Sequence, residues 1–496
     1  MMYLNTTQTG CTAAGIALLL PGIRLPGRTG RDSDVTARAE YQRPGGCKVT
    51  IDYTNKQIIL CMTRIYCNNV HTFFSSCRFI SHTVSQYVIN MSLDVNVSEP
   101  DEFNCVELHG CIESVAKIKH IKDFVYHVEY VCGKGDNYIA NVFRVLIRET
   151  DKDNVVSVIV KTLINTTRQE LFKELHKREV DAYEILINKF VEIQNDIEDK
   201  IVLPKHVLSS SMKGNEVIIL EDLLADGFEI DNKIHSLQQL DYNYVQLILT
   251  KLAKFHALTF VLENNDDYLD SVDKNRKLFD DILYKDSFLS KTKLRDHYAE
   301  SFEISLNLID DTDARKKLDH VISKLLEILK FYTKPRKHNV FCHGDLWINN
   351  ILFKTQVSTE VCFLDFQAMR YASPVLDILY FMYLCTESGF REKHFEKLKE
   401  EYYESFTNFL KQFNMESSSV YPREAFNNDL EETAPYGLVI ALIELRVVTT
   451  KQFSDAHKIR LKATFTKRLN MFKILFKHKI LFNFTICLVP QVKYDY

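Results

Sequence analysis

The chain has 496 residues, a formal net charge of −4, 46% hydrophobic residues and 26% charged ones. That length permits two or three folded units, the composition is that of an ordinary soluble globular protein, and the charge offers nothing to a nucleic acid. With 15 Gly and 10 Pro, long disordered linkers are not expected.

The 12 cysteines are scattered, with no C-x-x-C pair, so a zinc site is not expected. No stretch approaches the roughly 20 apolar residues of a membrane span. The run Ala13 to Leu20 is short and lacks a preceding basic residue, which makes it a poor signal peptide.

Residues 1–104 differ from the rest. Residues 21–46 are rich in Gly, Pro and Arg, and 47–97 are rich in Cys, Asn, Ser and Thr with few carboxylates. No repeat or motif stands out, so this part reads as an atypical or poorly ordered extension, with a regulatory or targeting arm as the functional alternative.

From residue 112 the periodicity becomes readable. Residues 125–149 alternate, with Val125, His127, Glu129 and Val131 on one face and Tyr126, Val128, Tyr130 and Cys132 on the other. Gly133-Lys134-Gly135-Asp136-Asn137 then separates this run from a second one, Tyr138 to Ile147, which reads as a hairpin. The next strand, Val155 to Leu163, carries a single charge, Lys161. A strand lysine is commonly a solvated edge residue.

The following helix argues otherwise. Phe172, Leu175, Glu179, Tyr183, Leu186 and Phe190 are spaced three or four apart and share one face. Glu179 is the only charge on that stripe, and a carboxylate facing a core needs a cation. Lys161, one strand earlier, is the one available.

A second hairpin is predicted to turn at Lys213-Gly214-Asn215, with Val217 to Leu220 as its returning strand, followed by Glu221-Asp222-Leu223. Residues 241–262 form an amphipathic helix with Val245, Ile248, Leu252, Phe255 and Thr259 on one side. His256 within it reads as a satisfied core histidine rather than a catalyst. Residues 263–335 are helical and charged, without a motif.

Residues 341–381 carry the chemistry: FCHGDLWINNILF, a spacer, then VCFLDFQAMRYASPVLDILYF. Four polar side chains recur at fixed spacing within apolar sequence: His343, Asp345, Asn350 and Asp365. Asp365 ends a buried-strand run, Val361 to Leu364, where a carboxylate is costly without a positive partner. Asp plus Asn plus Asp is a natural oxygen donor set for a divalent cation, which leaves Asp345 able to accept a proton from an alcohol. Cys342 and Cys362 flank these residues and read as small core side chains.

Ser373-Pro374 has the form of a helix start, with Ser as N-cap. Asp377, the only charge in the helix that follows, faces either the helix dipole or the catalytic loop. Residues 391–470 read as further helices, and the aromatics Phe395, Tyr402, Tyr403, Phe406 and Phe409 are core by default. The tail, 471–496, cannot be assigned.

HGD, Asn350 and LDFQ, in this order and spacing, resemble the H-R-D…N and D-F-G elements of kinases. The form HGDLWINNILF with LDFQ and SPVLDILYF most resembles the ecdysteroid kinase-like family, of the aminoglycoside phosphotransferase and choline kinase type. Gly344 stands where protein kinases have Arg, and Gln367 where they have Gly. The eight residues from Asp365 to Ser373 leave no room for the activation segment that holds peptide substrates.

The resemblance covers about 105–470. It implies an α+β, bilobal protein kinase-like fold: a small antiparallel β-rich N-lobe over 105–222, and a larger, mostly helical C-lobe over 223–470. It implies ATP and Mg²⁺ as cofactors, with Asn350 and Asp365 on the metal and Asp345 as base. His343 would orient the loop, and Asp377 would support it. Gly133 and Gly135 would lie over the phosphates, Lys161 held by Glu179 would pair them, and Glu221 and Leu223 would border adenine.

The acceptor implied is an ecdysteroid or another hydrophobic alcohol, with residues 263–335 helping to build its pocket. Alternatives are a choline, ethanolamine or sugar kinase, a pseudokinase, or a carrier of hydrophobic ligands. ATP chemistry implies the cytoplasm, where the cysteines are free thiols. Oligomeric state is not legible.

Overall fold

The computed structural model describes the backbone of residues 2–5, 37–42, 48–54, 57–64 and 99–450, apart from 132–139, 151, 167, 230–239, 265–275, 277–278, 310 and 355–359; side chains are described between 99 and 444. The chain divides into two compact units, Met1–Val97 and Ser98–Tyr496.

The first unit holds four antiparallel strands, β1 (Met2–Asn5), β2 (Ala37–Gln42), β3 (Lys48–Thr54) and β4 (Gln57–Arg64), in the order β1-β4-β3-β2. The sequence reading had assigned no elements there.

The second unit opens on α1 (Val106–Ile118), which packs Leu108, Ile112 and Val115 against a five-stranded antiparallel sheet. The strands are β5 (Phe124–Tyr130), β6 (Asn141–Glu149), β7 (Val155–Thr162), β8 (His206–Ser210) and β9 (Val217–Glu221), in the order β5-β6-β7-β9-β8. The alternation read from the sequence holds: Val128 is buried and Tyr126 and Tyr130 pack on the same cluster, while Val125 is 47% exposed. The predicted turn at 213–215 joins β8 and β9, with Gly214 at φ +85°, a left-handed value that glycine adopts without a Cβ clash. The first hairpin's turn, with Gly133 and Gly135, lies outside the described residues.

Between β7 and β8 runs α2 (Gln169–Asp181), which continues through a π-helical turn, Ala182–Ile187, to Glu192. The predicted stripe faces inward: Leu175, Glu179, Tyr183, Leu186 and Phe190 are all buried. Arg178, equally buried, donates to the carbonyls of Met369 (2.5 Å) and Asp280 (2.8 Å) and so ties this helix to the helical lobe.

The helical lobe is built on α3 (Tyr242–Glu263), capped by Asp241, which accepts from the Tyr244 N–H. The sequence reading placed this helix at 241–262 but found no stretch apolar enough for a bilayer; it is the one described helix long and apolar enough to cross one, and most of it is buried in the core. Around it stand α4 (Asp286–Thr292), α5 (Leu294–Asn307), α6 (Thr312–Asp319), α7 (Leu325–Thr333), α8 (Val375–Cys385), α9 (Ser388–Lys411) and α10 (Arg423–Thr450). Two short antiparallel pairs carry the polar motifs: β10 (Val340–Cys342) with β13 (Arg370–Ala372), and β11 (Ile351–Lys354) with β12 (Glu360–Phe363). An antiparallel β-rich lobe followed by a larger helical lobe is the bilobal α+β architecture expected.

One local expectation fails. Ser373 does not cap α8; its hydroxyl donates instead to Asp429 on α10 (3.1 Å), which also accepts from the Tyr421 hydroxyl (2.8 Å). The charge-assisted bond to Asp429 orients the Ser373 hydroxyl toward α10, and Pro374 already sets the helical backbone (φ −59°, ψ −23°).

Helices α8 and α10 approach closely because Gly437 has no side chain. A Cβ there would lie 2.8 Å from the Tyr383 ring. Gly437→Ala is therefore expected to cost about 1–3 kcal/mol by overpacking, read as a lower midpoint in denaturant unfolding.

Candidate active site

The site is assembled where the sheet meets the two short hairpins. Lys161, 9% exposed on β7, donates to Glu179 Oε2 on α2 at 2.5 Å and to Asp365 Oδ1 at 2.6 Å. The first contact is the pair expected from periodicity. The second joins the lobes and was not foreseen, because no local pattern relates residues so far apart in the chain. Burial alone would lower the Lys161 affinity for a proton, but Asp365 and Glu179 together hold it well above the usual lysine range. Glu179 is pushed up to about 7 by burial, and Lys161 opposes that rise.

Asp365 follows β12 with φ +68°, an uncommon left-handed value for a non-glycine residue. This turn lets its second oxygen accept from Gln367 Nε2 (3.1 Å) while the first meets Lys161. Gln367 thus occupies the glycine position of D-F-G and helps to hold the carboxylate.

Asp345 and Asn350 stand on the loop between β10 and β11. Asn350 donates Nδ2 to the Asp345 carbonyl (2.8 Å) and to Asp345 Oδ2 (3.3 Å). No described donor reaches its amide oxygen, which is left as the atom it can offer. The neighbouring Asn349 is exposed. Asp345 Oδ1 accepts from the Tyr380 hydroxyl at 2.7 Å. Burial, with the negative charge of Asp365, pushes the Asp345 carboxyl up to about 7.

His343 is fully buried. Its Nδ1 accepts from the Asp345 N–H (3.3 Å) and its Nε2 donates to the Leu364 carbonyl (2.8 Å), so neither nitrogen is open to a substrate. The contact with Leu364 also links the Asp345 loop to the strand end that carries Asp365. Burial holds His343 below the ordinary histidine range, and it stays neutral.

Asp377, 1% exposed on α8, resolves the choice left open by the sequence. Its oxygens accept from the His343 N–H (2.6 Å) and the Gly344 N–H (3.0 Å), and His256 Nε2 lies 3.1 Å away. His256 is held in turn by the Tyr402 hydroxyl (2.7 Å), which makes it the satisfied core histidine expected. Gly344 between these residues has φ +83°, and a Cβ there would meet the Ala368 carbonyl oxygen at 2.0 Å. The loop can therefore lie against Ala368 only with glycine at this position.

Several members of the site were missed. Arg370 donates to the Gly344 carbonyl (3.1 Å) and pairs with Asp281 (2.8 Å). Tyr380 lies one helical turn beyond Asp377, a spacing that could have flagged it. Asp222, 4% exposed, accepts from Arg144 Nε and Ser157 Oγ, both at 2.7 Å.

Glu221 and Leu223, the other two residues expected to border the nucleotide, diverge. The Glu221 side chain pairs with Lys119 (2.5 Å) and Lys205 (3.2 Å). Leu223 packs with Phe228, Leu352 and Cys362, and Leu364 closes that apolar cluster next to Asp365. Gly133 and Gly135 lie outside the described residues.

Two carboxylates, Glu179 and Asp365, thus meet one ammonium, Lys161, and a third, Asp345, lies within electrostatic reach of Asp365. The arrangement is short of positive charge, and Asp365 and Asn350 supply hard oxygen ligands, so the residues present fit a divalent cation.

Asp377→Asn removes one of the two carboxylate oxygens that brace the loop and aims an N–H₂ group at backbone donors. It is expected to destabilise the fold by about 3 kcal/mol, measured as a fall in the midpoint of chemical denaturation.

The family model that matches this chain is that of the ecdysteroid kinase-like family, over residues 134–415. Comparison with curated proteins finds no match. Among solved structures, an ethanolamine kinase of Plasmodium vivax is 12% identical, with a TM-score of 0.38, covering 84% of this chain and 98% of its own. A choline kinase from Cryptosporidium parvum is 15% identical, with a TM-score of 0.42, covering 75% of this chain and 98% of its own. A spectinomycin phosphotransferase, solved with ADP and spectinomycin, is 13% identical, with a TM-score of 0.35, covering 71% of this chain and 93% of its own. The matched segment exceeds half of the sequence and contains the whole HGD–Asn–DFQ constellation: the chain belongs to the ecdysteroid kinase-like family, and it is a phosphotransferase that acts on a small-molecule alcohol.

Proposed function

We propose that this protein transfers the γ-phosphoryl group of ATP to a hydroxyl of a small molecule, with Asp345 as the base. The observation that carries the reading is the Lys161 ammonium, shared between Glu179 and Asp365 across the two lobes. A lysine held on a helix glutamate is the form in which kinases present a cation to nucleotide phosphates, and an aspartate beside it is where they hold the metal. None of Lys161, Asp345, Asn350 and Asp365 is lost, which disfavours a pseudokinase.

In this reading Asp365 and the Asn350 amide oxygen would hold Mg²⁺, which would supply neutralisation of the charge on the transferred phosphoryl group. Lys161 would steady the phosphates, with Glu179 holding it on the sheet. Tyr380 and Asn350 fix the Asp345 carboxylate from two sides. His343, Asp377 and Arg370 hold the loop beneath it. Asp345 takes the proton of the acceptor hydroxyl as the phosphoryl group moves.

The acceptor we propose is an ecdysteroid or a similar hydrophobic alcohol, on the strength of the family. We place the reaction in the cytoplasm. A reducing compartment suits Cys105, Cys111, Cys342, Cys362 and Cys385, all free thiols.

Asp345→Asn is expected to lower phosphate transfer by at least about 100-fold while leaving ATP binding nearly intact. Transfer is followed with radiolabelled ATP. Binding is followed by the fluorescence of Trp347, the only tryptophan, which is partly buried beside the loop. Retained turnover would reject the role of Asp345.

A pH profile gives a second test. A carboxyl raised to about 7 is protonated, and useless as a base, below that pH. Thus kcat/KM should fall on the acid side of about 7 and level off above it. A profile flat down to pH 5 would contradict the assignment.

A further inference from the structure

Residues 279–284 of the helical lobe form neither helix nor strand, yet two buried arginines from different elements close on them. Arg178 on α2 donates to the Asp280 carbonyl (2.8 Å) and lies over the Phe279 ring, 5.3 Å from its centroid. Arg370 on β13 ion-pairs with Asp281 (2.8 Å) and lies over the Tyr284 ring at 5.6 Å. The turn also joins β13 directly, because the Tyr371 N–H donates to the Phe279 carbonyl (2.9 Å). The Phe279 ring, fully buried, packs edge-on against Phe341 on β10, with 5.2 Å between centroids.

Both arginines reach the candidate active site as well. Arg178 directly precedes Glu179, the partner of Lys161. Arg370 donates to the Gly344 carbonyl (3.1 Å), in the peptide that leads to Asp345, and its Nε would lie 3.2 Å from a Cβ on Gly344. The guanidinium is thus pressed against the loop backbone at the residue before the proposed base. A carbonyl does not neutralise a buried guanidinium. Asp281 is its one ion-pair partner among the described residues, and the other oxygen of Asp281 accepts from the Tyr284 N–H (2.9 Å). The turn therefore fixes the carboxylate, and the carboxylate fixes the guanidinium.

A buried ion pair adds little to stability, because desolvation of both charges offsets their attraction. An apolar pair of similar size would hold this turn against β13 equally well. It would not grip the Gly344 carbonyl, which needs a donor in a set direction. What the pair contributes beyond packing is the placement of that donor.

We propose that Asp281 is a positioning residue for phosphoryl transfer: it holds Arg370, and Arg370 holds the backbone that aims Asp345. Residues 279–284 are then a strut between the two halves of the site, since Arg178 fixes the same turn to the helix that carries Glu179. This inference rests on the phosphotransfer reading above and adds to it a residue that acts at a distance from the reacting atoms.

The test uses the full chain with Asp281→Asn and Asp281→Glu, assayed with an ecdysteroid and with an amino alcohol at saturating Mg·ATP. A misplacement of about 1 Å can cost about 100-fold, so Asp281→Asn should lower kcat at least about tenfold. The acceptor KM, and the affinity for ATP measured without acceptor, should stay within about threefold of wild type. Asp281→Glu restores the charge one methylene further out and should recover part of the lost kcat. Trp347, two residues from Asp345, reports on the loop without any substrate; in Asp281→Asn its fluorescence should become more open to quenching by acrylamide. Arg370→Lys keeps the charge but loses the fork. Combined with Asp281→Asn, it should cost no more than the larger single loss, because both act through one contact.

Wild-type kcat in Asp281→Asn overturns the proposal. So does a joint fall of kcat, ATP affinity and melting temperature, which assigns Asp281 a purely structural role. Should Asp281→Asn fail to fold, Asp281→Glu decides: a kcat at least about threefold below wild type with unchanged ATP affinity supports the role, and wild-type kcat rejects it. Unaltered Trp347 quenching in Asp281→Asn, with an active wild type, sinks this inference alone. Failure of the wild type to phosphorylate either class of acceptor counts against the phosphotransfer reading as well.

Discussion

The structure depends on a single ammonium that answers two carboxylates from different lobes. Lys161 sits on a strand of the sheet, Glu179 on the helix behind it, and Asp365 at the end of a hairpin in the helical lobe. Each partner alone would be an unpaired buried charge, which proteins do not tolerate cheaply. Together they define how the sheet meets the helical lobe, since Asp365 reaches Lys161 only with the lobes in this arrangement. Arg178, one residue before Glu179, bonds the carbonyls of Met369 and Asp280 and fixes the same helix to the same side.

The second constraint is the bracing of the Asp345 loop. A left-handed Gly344 pressed against Ala368, a buried Asp377 gripping two successive N–H groups, and a His343 with both nitrogens engaged leave the loop with little freedom. Such over-determination is what keeps a functional side chain aimed when its own surroundings would disfavour its charge. It also separates two kinds of polar residue in one motif: the Asp345 side chain bonds to those of Asn350 and Tyr380, while His343 and Asp377 hold the backbone behind them.

How much of this was legible in the sequence follows from the range of each interaction. The Lys161–Glu179 pair was readable because helical periodicity isolates one charge on an apolar stripe and the neighbouring strand offers one cation. Asn350 and Asp365 were readable from spacing within one segment. The bridge from Lys161 to Asp365, the clamp of Arg370 on Gly344 and the contact of Tyr380 with Asp345 were not, because each joins elements whose approach is set by packing rather than by local pattern. Ser373 was misjudged for the same reason: its hydroxyl found Asp429, supplied from a distant helix, before it could cap its own. In the first unit, β2 (ARAEYQ) and β3 (KVTIDYT) do alternate apolar and polar residues; that signal was present in the sequence and was overlooked amid the Gly-, Pro- and Cys-rich composition around it.

Asp222 has a consequence for how the two lobes can move. Its carboxylate is fastened to Arg144 and Ser157 of the sheet, so the chain as far as that residue travels with β6 and β7. Seven residues later, Glu229 exchanges backbone hydrogen bonds with Phe353 (2.7 and 3.1 Å) and so belongs to the hairpin of the helical lobe. Any opening of the cleft has to be absorbed between those two anchors, and Gly227, at φ +86°, lies in that interval. The joint is therefore short and anchored at both ends, and its apolar side chains, Leu223 and Phe228, pack in one cluster with Leu352, Cys362 and Leu364, the residue before Asp365.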